Sequence, residues 1–106
     1  MSNCLFCKII AGEIPSTQVY SDEHCVAFKD IHPKAKVHLL VVPRRHIDSL
    51  AHLQADDAAL VGQVTVSLQH IAAQNGLNNG FRTVINTGRD GGQEVGHLHF
   101  HVLGPV

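Results

Sequence analysis

From His97 to Leu103 the chain alternates strictly: His97, His99 and His101 are interleaved with Leu98, Phe100 and Val102. Period-two alternation of this kind predicts a strand with one apolar face and one face carrying three imidazoles. No other stretch constrains the fold as much, because a strand with one buried face needs a sheet and something packed on it. Histidine ordinarily titrates near neutrality and can serve as base, acid, nucleophile or metal ligand. Residues two apart on a strand lie roughly 7 Å apart along it, so all three rings do not readily share one ion, whereas two neighbours can. Three in strict register point to a site rather than to scattered surface histidines. The Gly88-Arg89-Asp90-Gly91-Gly92 stretch just before them is a turn whose backbone could approach a phosphate closely.

Working outward, Leu5, Phe6, Ile9 and Ile10 form a one-face helical pattern over 4–11, ended by Gly12 and Pro15. Residues 17–20 and 25–28 read as short strands separated by Ser21-Asp22-Glu23. The Val-His-Leu-Leu-Val-Val run at 37–42 predicts a central strand, and 55–75 predicts the long helix, capped by Gly76. Two more strands are expected at 81–86 and 98–103. The expectation is a single α+β domain over residues 1–106, with a five-stranded, largely antiparallel sheet, one long helix and one short helix.

Apolar residues make up 44% of the 106 positions and charged residues 16%, a globular balance. The formal net charge of −1 supplies no basic patch, so no nucleic-acid partner is expected, and no apolar run is long enough for a membrane span. Met1-Ser2-Asn3-Cys4 carries no signal-peptide pattern, which makes a cytoplasmic location and reduced cysteines the expectation. Cys4-x-x-Cys7 points to a metal pair before a redox pair, since no βαβ pattern surrounds it, with two small packed residues as the alternative. Tetrahedral zinc would need two further ligands from elsewhere.

Together these blocks resemble the histidine triad nucleotide-binding family. The likeness runs from Cys4 to Gly104 and is carried by His97-Leu98-His99-Phe100-His101-Val102-Leu103. Phe6-Cys7-Lys8-Ile9-Ile10, Ala27 to Pro33, His38 to Pro43 with His46, and Asn86 with Gly91 to Val95 support it. The Gly91-Gly92-Gln93 loop and the short length favour the Hint branch over the fragile histidine triad branch. The resemblance implies a homodimer whose two sheets join, acting on purine nucleoside monophosphate derivatives. His99 would be the nucleophile toward the α-phosphorus, with His101 and His38 as further catalytic histidines. Leu5, Phe6, Ile9, Ile14, Phe28 and Ile31 would line the base pocket, and Asp30 would bind the ribose hydroxyls. Asn86, Gly92, Gln93, Glu94 and Val95, with His99 and His101, would contact phosphate. Glu94 stands where better-known members carry serine, which brings a carboxylate near the phosphate.

The same resemblance implies a structural zinc held by Cys4, Cys7, His46 and His97, with no cofactor needed for catalysis. Nucleoside phosphoramidates and aminoacyl adenylates are the leading substrates. Dinucleoside polyphosphate hydrolysis, and a nucleotide-binding scaffold with incidental activity, are the alternatives.

Overall fold

The computed structural model describes residues 3–106; Met1 and Ser2, part of the expected domain and of the N-terminal segment read above, lie outside the described residues. The short helix α1 spans Leu5–Ile10. Strands β1 (Gln18–Ser21), β2 (Cys25–Lys29) and β3 (Val37–Pro43) follow. The long helix α2 (Ala58–Gln74) is preceded by a 3₁₀ turn at Ala55–Asp57. Strands β4 (Arg82–Val84) and β5 (Phe100–Gly104) complete one five-stranded sheet in the order β1-β2-β3-β5-β4. Every pairing is antiparallel, so the expected α+β architecture is the observed one.

Central strand β3 is buried from His38 to Pro43, a continuous run rather than an alternation. The reason is that both of its faces are covered. Leu39 and Val41, with Phe100 and Val102 of β5, pack against Val64, Leu68 and Ile71 of α2. On the opposite face Leu40 and Val42, with Val26 and Phe28 of β2, pack against Phe6 and Ile9 of α1. The six residues of α1 are too few to cover that second face. The histidines line the margin of that face, because Leu40 pairs with His101 and His38 with Leu103 across β3 and β5; His38 and His99 are buried there and His101 half-buried.

Two strands are shorter than their patterns predict. Residues 81–86 form a strand only over Arg82–Val84. Regular pairing of β5 begins at Phe100, two residues after the predicted start. Before it, the Leu98 N–H donates to the Ile47 carbonyl at 2.7 Å, and the His97 N–H closes a turn onto Val95 at 2.9 Å. The alternation of side chains nonetheless persists through this unpaired lead, since Leu98 joins Phe100 and Val102 in the α2-side core.

Candidate active site and metal centre

His97, His99 and His101 share one face but sit in three environments. The His99 ring is 94% buried, and its Nδ1–H donates to the His97 carbonyl at 2.7 Å. A carbonyl only accepts, so Nδ1 carries a proton and, in the neutral ring, the lone pair is on Nε2. The His99 and His101 rings stand 5.1 Å apart at 66°.

His101 is wired through β3. The Lys34 N–H donates to His38 Nδ1 at 2.9 Å, which leaves the neutral His38 proton on Nε2. That proton faces His101 Nδ1 at 2.9 Å, with the Asp30 carboxylate at 3.4 Å as a second neighbour. His101 accepts on Nδ1 and therefore offers an Nε2–H. Burial holds both rings below their ordinary protonation range; for His101, the positive charge that His99 and His38 would carry adds to the effect, and for His38 Asp30 opposes it. Both are neutral donors at pH 7. Asp30, His38 and His101 are close enough to one another to suggest a metal trio. The tautomer argues against it, because the Lys34 amide already occupies the nitrogen that would carry the proton if His38 ligated through Nε2.

His97 is turned the other way. Fully buried, it donates Nε2–H to the Pro43 carbonyl at 2.8 Å and aims Nδ1 at Cys4 Sγ (3.3 Å) and Cys7 Sγ (3.5 Å). His46 donates Nε2–H to Asp48 at 2.6 Å and aims Nδ1 at Cys7 Sγ, 3.3 Å away. The four ligand atoms all lie within 4.8 Å of one another. Tetrahedral zinc with ordinary Zn–S and Zn–N lengths puts sulfur and nitrogen about 3.5 Å apart, so the spacing fits. So does the outer layer: a carboxylate and a carbonyl fix each histidine with its lone pair inward. Asp48 escaped the sequence reading, although a carboxylate two residues after a candidate ligand histidine was there to be weighed. The Lys34 amide and the Pro43 carbonyl are backbone groups and leave no trace in residue identity.

The other candidate residues divide. Phe6, Ile9 and Phe28 are buried in the α1-side core, and Ile14 packs at its margin. Leu5 is 43% and Ile31 85% exposed. Asn86 donates its side-chain N–H to the Gly91 carbonyl at 2.9 Å. Gln93 accepts from the Gly88 N–H at 2.8 Å and donates to the Asp48 and Val95 carbonyls at 2.7 and 2.9 Å. Both amides brace the glycine loop, within which Gly92 has φ +80°, a value costly for any residue with a Cβ. Val95 packs beside the α1-side core, and Glu94 is exposed.

This sheet, with its triad strand and braced glycine loop, defines a histidine triad protein. The HIT domain model matches residues 11–106, and the chain belongs to that family. It is 52% identical over 104 residues to Protein HitA of Neisseria gonorrhoeae, a match covering 98% of this chain and 97% of that protein. Among solved structures it resembles a HIT family hydrolase from Legionella pneumophila, with TM-score 0.92, 45% identity and coverage of 96% and 92% of the two chains. A histidine triad protein from Clostridium difficile is 47% identical, with TM-score 0.92 and coverage of 97% and 90%. No helix among the described residues is long and apolar enough to cross a membrane.

Proposed function

We propose that this chain is a cytoplasmic hydrolase of the Hint type, cleaving purine nucleoside phosphoramidates and aminoacyl adenylates through a nucleotidyl-histidine. The observation that carries the reading is the His99 tautomer: its Nδ1–H is committed to the His97 carbonyl, so in the neutral ring the lone pair left for phosphorus is on Nε2. The hydrolase named from Legionella pneumophila supports the reaction class.

In the first step His99 Nε2 forms a bond to the α-phosphorus while the bond to the leaving nitrogen breaks. The amine departs with a proton taken up from solvent, while the Nε2–H of neutral His101, next along the face, donates a hydrogen bond to a phosphate oxygen. Asp30, beside His38, accepts from the ribose hydroxyls. In the second step water attacks phosphorus as the bond to His99 Nε2 breaks, the nucleoside monophosphate leaves, and the water's proton returns to solvent, balancing the one the amine took.

Cys4, Cys7, His46 and His97 would hold zinc. When bound, the ion supplies a cross-link between α1 and the sheet, with no position open for substrate. A homodimer joined through β4 is supported by its place at the sheet edge. Beside it runs a groove of about 440 Å³ lined by Val61, Val66, Phe81 and Phe100. For the reaction, the test is His99→Ala assayed with an adenosine phosphoramidate. Turnover should fall by about 10³-fold or more while metal content stays at the wild-type level. Retained turnover, or metal lost together with activity, would count against the assignment.

A further inference from the structure

Family likeness assigns Phe6 to the base pocket, but its contacts lie inward. It is 4% exposed, and its ring stands edge-on to those of His99 (5.1 Å, 85°), His97 (6.0 Å, 68°) and Phe28 (5.5 Å, 68°). A side chain with so little accessible surface has almost nothing to offer a purine.

We propose that Phe6 is a positioning residue: its ring braces the His99 imidazole, and the Cys4–Cys7 turn that carries it is anchored by the cysteine–histidine set. This rests on His99 being the nucleophile. One hydrogen bond, from Nδ1 to the His97 carbonyl, fixes which nitrogen is bare but leaves the ring free to tilt about that bond. An in-line attack needs the lone pair aimed as well as available. Two edge-on rings bear on the imidazole, His101 along the strand and Phe6 from α1, and Phe6 supplies the restraint from the side that the strand does not provide.

A brace works only if it is itself fixed. Six-residue α1 is far too short to be stable by its own hydrogen bonds. Its ties to the sheet include the packing of Phe6, Ile9 and Ile10 and the two cysteines. Cys4 caps the helix by accepting the Cys7 N–H at 3.4 Å, and both thiols face His97 Nδ1. Phe6 sits between them. His97 therefore reaches the nucleophile by two routes, directly through its carbonyl and indirectly through the turn that holds Phe6.

The experiment compares wild-type protein with Phe6→Leu, in steady-state turnover of an adenosine phosphoramidate, metal content, and the ring-nitrogen chemical shifts of His99 by NMR. The expected result is unchanged metal content, KM within about twofold, and kcat lower by roughly tenfold to a hundredfold, the scale of an ångström of misaim. The His99 signals should broaden, and wild-type protein stripped of metal by a chelator should show the same broadening. An unchanged kcat overturns the proposal, and so does a raised KM at constant kcat, which would return Phe6 to the substrate pocket. If Phe6→Leu does not load metal, the metal-free wild-type spectrum decides, and sharp, unshifted His99 signals there overturn it. If wild-type protein has no turnover at all, the nucleophile assignment fails instead, while the ring-nitrogen shifts still report whether Phe6 holds the ring.

Discussion

Each of five histidines is assigned its work by what its second nitrogen touches. His97 and His46 spend Nε2–H on the Pro43 carbonyl and on Asp48 and turn Nδ1 toward the thiols. His99 spends Nδ1–H on a carbonyl and keeps Nε2 bare. His38 receives the Lys34 amide and passes a donor on to His101. Identical side chains are thus set up for the proposed roles of ligand, nucleophile and donor, His97, His99 and His38 by backbone partners that no residue letter encodes and His46 by the Asp48 carboxylate. Burial also gives His38 and His101 a pH signature, because both hold a proton less readily than the ordinary 6.5. The unfolded chain takes up those protons first as pH falls. Their contribution to stability is therefore complete above about pH 6.5 and is lost progressively below it, toward the lower folded values. Thermal unfolding between about pH 7.5 and 5.5 should show Tm falling, with a shallower slope in the His38→Asn, His101→Asn double variant. Equal slopes would mean that neither ring is held neutral by the fold.

At the scale of elements, what periodicity can express was legible. The alternation at His97–Leu103, the apolar run at 37–42 and the helical spacing after Ala55 placed two strands and α2 to within a few residues. Strand ends were not legible, because they depend on where a neighbour stops: β5 begins pairing only at Phe100, opposite Val41, and Leu98 instead meets Ile47. The metal quartet came from family likeness together with the Cys4–Cys7 spacing, and the structure brings its four ligand atoms together. The six apolar residues expected around a base part ways, because α1 must spend Phe6 and Ile9 on its own docking. The outer layer of the quartet offers a test at this scale. Asp48→Asn should weaken metal affinity by about 10- to 100-fold in competition with a chelator, without altering the ligands themselves. An affinity equal to wild type would show that the His46–Asp48 bond contributes nothing to holding the ion.

For the molecule as a whole, β4 leaves one edge of the sheet unpaired among the described residues, and Val66 and Phe81 are exposed large apolar residues beside it. An open strand edge flanked by apolar surface is costly in water unless it is covered. A second copy of the chain, its β4 beside the first, would continue the sheet and bury the groove. Val66→Glu should shift the protein from dimer to monomer in analytical ultracentrifugation, whereas a wild-type monomer would remove this part of the account. The proposed reaction, by contrast, depends on one bond from phosphorus to a ring nitrogen. The most direct measurement is the intact mass of the protein, quenched during turnover of an adenosine phosphoramidate. The account predicts a transient mass increase of one adenylyl group on wild-type protein and none on His99→Ala. An adduct of the same mass on His99→Ala, or turnover by that variant at the wild-type rate, would contradict it.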